Sequence, residues 1–174
     1  MAMKISSDFR KEISKLGEGF SVNYCYQCGT CSGGCPALRY TKIYNPRRIM
    51  EDVLLGFREK TLKDPVLWLC TMCHACLEAC PQGVKVSEIL VLLRNLATEL
   101  GAFPEHLKAE VSTLLENGLI NPGGAAIQRR RQQLGLPDVP KPNVENMKKV
   151  AELTGFIELT GYQPGKGGKS KEAE

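Results

Sequence analysis

The stretch "LCTMCHACLEACPQG", residues 69 to 83, contains four cysteines at spacings of three, three and four, with a proline directly after the last. The stretch "YCYQCGTCSGGCP", residues 24 to 36, has the same pattern 45 residues earlier. A duplicated pattern of this kind predicts that the chain folds around its thiol groups. The two stretches contain all 8 cysteines of the chain: Cys25, Cys28, Cys31 and Cys35 in the first motif, and Cys70, Cys73, Cys76 and Cys80 in the second motif.

The length and composition of the chain limit where such thiols can be used. At 174 residues and 19.2 kDa, the chain is long enough for one modest domain with peripheral arms. The longest apolar run is "ILVLL", residues 89 to 93, which is far too short to span a membrane. The amino terminus lacks the apolar segment of a secretory signal. We therefore expect a cytoplasmic protein without a membrane partner, whose cysteines bind metal rather than form disulfides.

Cysteines at these spacings are typical of [4Fe–4S] ligands. Spacings of three place successive thiolates around one side of a tightly wound loop, and the fourth cysteine ligates the other cluster in two-cluster ferredoxins. The proline after it discourages a helical conformation across this point. Zinc is the competing metal, but zinc sites use two separated C-x-x-C pairs, whereas here each pair is extended by two further cysteines. The spacing therefore predicts two [4Fe–4S] clusters.

The duplication also predicts how the cysteines are shared. Two halves related by a pseudo-twofold axis would each give three ligands to their own cluster and one ligand to the other. We call these the first cluster, with predicted ligands Cys25, Cys28, Cys31 and Cys80, and the second cluster, with predicted ligands Cys70, Cys73, Cys76 and Cys35.

The formal net charge of +4 does not indicate a nucleic-acid partner. Each oxidised cluster with its thiolate ligands carries a charge of about −2, so two clusters cancel the positive excess. The basic run Arg129, Arg130 and Arg131 is short, and such runs are more often exposed faces or docking patches than RNA sites. We therefore expect no nucleic-acid partner.

The rest of the chain shows helical patterns and no convincing strand alternation. Between the motifs, Asn45 as N-cap, Pro46 in the first turn and Gly56 as terminator predict one helix. Ser7 is the predicted N-cap of a leading helix, and Ser87 is the predicted N-cap of the most strongly patterned helix.

The connection between the motifs is helical, whereas small bacterial ferredoxins join their motifs through short strands. In this respect the chain resembles the α-helical ferredoxin domain of the succinate dehydrogenase type. The predicted fold is all-α: an α-helical ferredoxin-like domain with two [4Fe–4S] clusters and helical arms at both ends. Its predicted segments are an N-terminal helical arm (1–19), the α-helical ferredoxin domain (20–118), a linker with a C-terminal helical arm (119–165) and a disordered tail (166–174).

The chain is similar to the C subunits of soluble heterodisulfide reductases of methanogens. The resemblance rests on "CYQCGTCSGGCPA", "NPRRIMEDVLLG" and "LWLCTMCHACLEACPQGV". It implies an electron-relay subunit that receives electrons from a flavin-containing A subunit and passes them to a B subunit. In that family the B subunit has noncubane clusters and cleaves the mixed disulfide of coenzyme M and coenzyme B. The resemblance also implies an associated hydrogenase or formate dehydrogenase.

The use of every cysteine predicts that the chain transfers electrons and is not itself catalytic. A cubane with four cysteine ligands has no open position for a substrate, and no thiol pair, flavin motif or phosphate loop offers another site. Two alternatives stay open. One is a relay subunit of another oxidoreductase, of the fumarate reductase or anaerobic glycerol-3-phosphate dehydrogenase type. The other is a structural zinc or RNA-binding module.

Three side chains near the motifs invite further roles. His74 lies inside the second motif, where it could ligate iron or contact a cluster sulfide, but four cysteines already make ligation unnecessary. Arg47 and Arg48 begin the helix after the first motif, where a cation would lie near a negatively charged cluster. We expect at least one of the two arginines to be solvated.

Overall fold

The structure is a computed structural model that describes residues 5–140 and 142–163. Within these ranges the chain forms helices and no β-strand, which confirms the predicted all-α fold. Two 3-10 helices, Gly17–Tyr24 and Pro65–Leu69, precede the two motifs. The α-helices are α1 (Ser7–Ser14), α2 (Thr30–Gly33), α3 (Pro36–Thr41), α4 (Pro46–Leu55), α5 (Arg58–Lys63), α6 (Ala75–Glu78), α7 (Val86–Glu99), α8 (Glu105–Asn117), α9 (Ala125–Gln133), α10 (Val144–Leu153) and α11 (Phe156–Thr160).

The chain divides into two compact units, Met1–Ala102 and Phe103–Glu174. The boundaries predicted after residues 19 and 118 differ from this division for a packing reason. Helix α1 packs against the 3-10 helix Gly17–Tyr24 and against α4, so it lies within the first unit, and α8 packs against α10 within the second unit. Whether the predicted segments are separate domains stays a prediction. The predicted disordered tail, 166–174, lies outside the described residues.

The core of the first unit is built around α7. Its apolar side chains recur at helical spacing, and Ile89, Leu90 and Leu93 are fully buried. Burying each of these side chains contributes about 2 kcal/mol to folding. The helix packs against α1, α5, α6 and both 3-10 helices, so the segments that lead into the two motifs share one core.

The helix between the motifs has the predicted ends. The Asn45 side chain accepts a hydrogen bond from the Arg48 N–H at 3.2 Å, and Pro46 occupies the first turn. Gly56 ends the helix in the left-handed conformation, with φ of 82°. Its carbonyl oxygen accepts a hydrogen bond from the Ser6 N–H, so the end of α4 adjoins the start of α1.

Two predicted N-caps were wrong. The cap of α1 is Ser6, whose hydroxyl accepts a hydrogen bond from the Asp8 N–H, and Ser7 is the first residue of the helix. Ser87 lies inside α7, which begins at Val86 without a side-chain cap. The Ser87 hydroxyl is buried and contacts the His74 ring instead. The serine correctly indicated a nearby helix start. Its hydroxyl contacts the His74 side chain, however, and does not cap the backbone.

The sequence duplication is also a duplication of backbone conformation. Helices α2 and α6 have 4 residues each, begin 45 positions apart and pack against each other. The residues before each helix repeat a rare conformation. Positive φ occurs at Gln27 and Gly29 in the first motif, and at Met72 and His74 in the second motif, which are the positions 45 residues later.

The second unit has a smaller core. Val111 and Leu115 of α8 pack with Ala151 of α10, and partly buried aromatic side chains surround them. Gly118 ends α8 in the left-handed conformation. The basic run Arg129–Arg131 lies on α9. In the part of the chain that the structure describes, every helix is too short or too polar to cross a bilayer.

Candidate functional site

Four cysteines converge on one cavity, which we call the first cavity. Three of them come from the first motif and the fourth is the last cysteine of the second motif. Apolar side chains from α4, from α7 and from the segment before α7 close the cavity, among them Met50, Val84 and Val86. The converging cysteines are Cys25, Cys28, Cys31 and Cys80.

The other four cysteines line a separate cavity, the second cavity. Here three cysteines come from the second motif and the fourth is the last cysteine of the first motif. Ala37, Tyr44 and Pro46 contribute to the wall from the segment after the first motif. The cysteines are Cys35, Cys70, Cys73 and Cys76. The structure therefore brings together the two sets of four that the sequence predicts.

The fourth cysteine of each motif lines the cavity of the other motif because of how the two short helices pack. Because α2 packs against α6, the residue that leaves each motif faces the cavity of the other. Each of these sulfurs also accepts a backbone hydrogen bond. Cys35 Sγ accepts from the Leu38 N–H at 3.5 Å, and Cys80 Sγ accepts from the Val84 N–H at 3.2 Å. These bonds orient the two shared side chains.

The backbone around both cavities suits an anionic group. Left-handed residues flank Cys28 and Cys73, whose own φ angles are not positive. Such alternation points successive N–H groups into a concavity, an arrangement that many iron–sulfur sites use. Holding a side-chain-bearing residue such as Gln27 or Met72 in this region costs on the order of 1 kcal/mol. The cost is explained if the N–H groups bind an anion.

The thiols of the first cavity influence one another. Burial raises the pKa of the Cys31 thiol, a hydrogen bond with Ser32 opposes this, and the neighbouring Cys25, Cys28 and Cys80 raise it further. Cys80 is thus an electrostatic neighbour of Cys31 although 49 residues separate them along the chain. Four thiolates held this closely repel one another unless cations lie between them.

The second cavity shows the same electrostatics. Burial, together with the neighbouring Cys70, Cys31 and Cys73, raises the pKa of the Cys76 thiol to about 11. The contribution of Cys31 shows that the two cavities are neighbours. A metal group that takes these sulfurs as thiolates must displace their protons, so its binding releases protons to solvent.

The sulfurs differ in exposure. Cys28 and Cys73, the second cysteine of each motif, are exposed, whereas Cys35 is buried. A hydrogen bond with the Thr30 side chain lowers the pKa of the Cys28 thiol. Each cavity therefore has one exposed cysteine, so each lies close enough to the surface for electron exchange with another protein.

The first cavity has a polar chain of contacts on one side. Gln27 Nε2 donates to Cys25 Sγ at 3.2 Å, and Arg47 Nη1 donates to Gln27 Oε1 at 3.3 Å. Arg47 also lies 3.9 Å from a Glu51 carboxylate oxygen. Arg48 is exposed. Of the two arginines named from the sequence, the structure brings Arg47 to the cavity and leaves Arg48 in solvent.

The second cavity has a different set of polar neighbours. His74 lies in its wall, and His74 Nδ1 is 3.0 Å from Ser87 Oγ. The hydroxyl of Tyr44 is buried in the same wall. Burial raises the pKa of Tyr44, and the adjacent Cys70 thiol raises it further. The phenol therefore keeps its proton at neutral pH.

Sequence reasoning missed residues at these cavities and beside them. Arg94 donates to the carbonyl oxygens of Leu67 and Cys70, at 3.2 Å and 2.8 Å, and so secures the start of the second motif. An arginine within the apolar run of α7 was a signal for such a contact. Gln27 lies between Cys25 and Cys28 in the first motif, and that position was its signal. Tyr44 gave no signal, because it lies outside the cysteine pattern and only folding brings it to a cavity.

The residues present fit two [4Fe–4S] clusters. Each cavity provides four sulfurs, a largely apolar enclosure and, beside its second cysteine, two left-handed residues of the kind that form anion-binding concavities. Residues 21–84 match the family model of the 4Fe-4S dicluster domain, the class of domain that holds two such clusters. The cofactor expectation from the sequence is thereby confirmed.

Three relatives, all C subunits of heterodisulfide reductases, extend the similarity to most of the chain. The chain is 35% identical over 164 residues to the C subunit of the H(2):CoB-CoM heterodisulfide,ferredoxin reductase of Methanothermobacter thermautotrophicus, covering 91% of this chain and 88% of the relative. It is 36% identical over 145 residues to the C subunit of the ferredoxin:CoB-CoM heterodisulfide reductase of Methanosarcina mazei, covering 83% of this chain and 88% of the relative. It is 40% identical over 141 residues to an iron-sulfur C subunit of the CoB--CoM heterodisulfide reductase of Methanocaldococcus jannaschii, covering 77% of this chain and 75% of the relative. Since the identities exceed 30% and span both units, the chain belongs to the family of heterodisulfide reductase C subunits.

Proposed function

We propose that the chain is the electron-relay subunit of a heterodisulfide reductase, passing electrons through two [4Fe–4S] clusters. The observation that carries this proposal is the pair of neighbouring cavities, each lined by four cysteines of which one is exposed. A cluster in each cavity would supply one-electron redox chemistry. Neighbouring sites within one core make a short electron path through the chain.

The proposed ligands follow the crossed assignment. They are Cys25, Cys28, Cys31 and Cys80 for the first cluster, and Cys35, Cys70, Cys73 and Cys76 for the second cluster. The lining of the two cavities supports this assignment. So does the influence of Cys80 on the Cys31 thiol, and of Cys35 on Tyr44.

The residues of the chain would hold the two clusters, shield them from water and orient their ligands. None is proposed to react with the disulfide substrate. All 8 cysteines serve the two cavities, so no thiol remains to hold a half-reduced product. Leu38 and Val84 orient the two shared sulfurs through their N–H groups. Apolar side chains such as Met50 limit the access of water to the buried sulfurs.

The proposed partners are those of the family. We propose that electrons enter from a flavin-containing A subunit and leave to a catalytic B subunit with noncubane clusters, which reduces the coenzyme M–coenzyme B heterodisulfide. A hydrogenase or formate dehydrogenase would supply the electrons upstream. We propose the cytoplasm as the compartment, because it keeps the eight thiols reduced for cluster assembly.

The isolated chain is expected to conduct electrons without catalysis. Purified without oxygen and with both clusters present, it should be brown, contain iron with acid-labile sulfide, and accept electrons from a strong reductant. It should reduce no coenzyme M–coenzyme B heterodisulfide, because fully ligated cubanes leave no position for a substrate sulfur. Spectrophotometric reduction followed by a thiol assay measures both properties. Turnover by the chain alone would contradict the relay proposal, and a colourless zinc-containing sample would contradict the cofactor.

Replacement of Arg47 is expected to lower the reduction potential of the first cluster. Arg47→Gln removes a positive charge beside the first cavity and weakens the orientation of Gln27 toward Cys25. Because a nearby cation stabilises the more negative, reduced state, we expect a decrease of roughly 20 to 60 mV. Arg48→Gln is the matched control, since it removes the same charge from an exposed neighbour. Redox titration monitored by electron paramagnetic resonance should show an effect of Arg47→Gln alone; equal shifts from both variants would contradict the prediction.

A further inference from the structure

The Tyr44 side chain occupies an unusual position in the fold. It lies in the segment between α3 and α4, is 1% exposed and lines the second cavity. Its backbone N–H donates to Thr41 Oγ1 at 3.2 Å, and the next residue, Asn45, is the N-cap of α4. These contacts fix the backbone on both sides, so the ring is held against the cavity.

The Tyr44 hydroxyl is buried without a hydrogen-bond partner among the protein atoms. Among the residues that the structure describes, this is one of two buried side-chain polar atoms in that condition, the other being Arg131 Nε in the second unit. Buried hydroxyls in native proteins are almost always satisfied. A phenylalanine would fill the same space without that cost, so the hydroxyl indicates an acceptor that is not part of the polypeptide.

The surroundings of the ring show where that acceptor lies. Cys70, Cys35 and Cys76 act electrostatically on the phenol, and all three are proposed ligands of the second cluster. The Cys70 sulfur is close to the hydroxyl but does not meet the geometry of a hydrogen bond with it. The hydroxyl therefore lies beside the sulfurs that would hold the second cluster.

The first cavity has no buried tyrosine at the matching position of the repeat, and the tyrosine in its wall, Tyr26, is exposed and interacts with Cys28. The position 45 residues after Tyr44 is Ile89, a fully buried aliphatic side chain of α7. The first cavity has instead the Gln27 amide and the Arg47 guanidinium on its wall. The two cavities thus differ in the polar side chains of their walls. Each cavity therefore has its own groups that can adjust the reduction potential of its cluster.

We propose that the Tyr44 hydroxyl donates a hydrogen bond to a sulfur of the second cluster and raises the reduction potential of that cluster. The inference rests on the proposed function, because it needs the second cavity to hold a [4Fe–4S] cluster. A donor facing a cluster sulfur stabilises the reduced state, which carries more negative charge, and does so strongly in a dry site. Tyr44 is a tuning residue and does not ligate iron.

The test is Tyr44→Phe in the full chain, reconstituted with iron and sulfide without oxygen. We expect unchanged iron and sulfide content, and a decrease of about tenfold in the equilibrium constant for reduction of one cluster, or ~59 mV for one electron. The other cluster should keep its potential. Tyr40→Phe is the matched control, because Tyr40 is 91% exposed and its hydroxyl lies in solvent. Redox titration monitored by electron paramagnetic resonance measures both potentials.

A second variant gives a change of opposite sign. A ring-fluorinated tyrosine at position 44 has a more acidic hydroxyl and is a stronger donor, so it should raise the potential that Tyr44→Phe lowers. If both clusters are intact and neither substitution changes their reduction potentials, the proposed role of Tyr44 is wrong, whereas the proposed function is unaffected. A reconstituted wild-type chain that fails to hold two [4Fe–4S] clusters would overturn the proposed function itself. If Tyr44→Phe assembles poorly, the fluorinated variant decides the matter, since an unchanged potential there overturns the proposal.

Discussion

Cys35→Ala is expected to abolish the second cluster and to spare the first, although Cys35 belongs to the first motif. Its buried sulfur lines the second cavity together with the first three cysteines of the second motif. Loss of one of four ligands should remove the [4Fe–4S] signature of that site and about half of the iron and sulfide. Iron and sulfide analysis with electron paramagnetic resonance of the reduced chain measures the loss. The remaining spectrum should match that of Cys70→Ala.

The reciprocal variant is the control for this result. Cys80→Ala removes the fourth sulfur of the first cavity, so its remaining spectrum should match that of Cys28→Ala and differ from that of Cys35→Ala. If the spectrum of Cys35→Ala matched that of Cys28→Ala instead, each motif would serve its own cluster and the crossed assignment would be contradicted.

Gly56→Ala is expected to be among the most destabilising single substitutions outside the cysteines. Gly56 has φ of 82°, and a Cβ there would overlap the backbone of Ser6, including its carbonyl oxygen. The left-handed conformation and the overlap together should cost roughly 2 to 4 kcal/mol. For a chain of this size the midpoint of thermal unfolding, followed by circular dichroism, should fall by roughly 5 to 15 °C.

Gly17→Ala separates the two contributions to this cost. Gly17 also has positive φ, of 42°, but a Cβ there would meet no atom within 4 Å. Its substitution should therefore show the conformational cost alone, about 1 kcal/mol. A midpoint for Gly56→Ala no lower than that for Gly17→Ala would show that α1 moves away from the end of α4 without loss of stability.

The sequence predicted most of the fold for local reasons. The ends of α4 depend on Asn45, Pro46 and Gly56, which act within a few residues, and the structure has them as predicted. The caps Ser7 and Ser87 were wrong because the choice of capping residue depended on neighbours in space as well as on the local pattern. For Ser87 the decisive neighbour was His74, 13 positions away in the chain.

The sequence by itself determined the family, the helical class, the two cysteine sets and the expectation of two clusters. It could do so because the ligand spacing is a property of short loops, and the 45-residue repeat marks both loops in the same way. Only the tertiary structure placed Tyr44 at one cavity, and brought Arg47 rather than Arg48 to the other, where it contacts Gln27. The physical reason is that a reduction potential depends on donors and charges within a few ångströms of a cluster. The packing of α2, α4, α6 and α7 decides which side chains come that close.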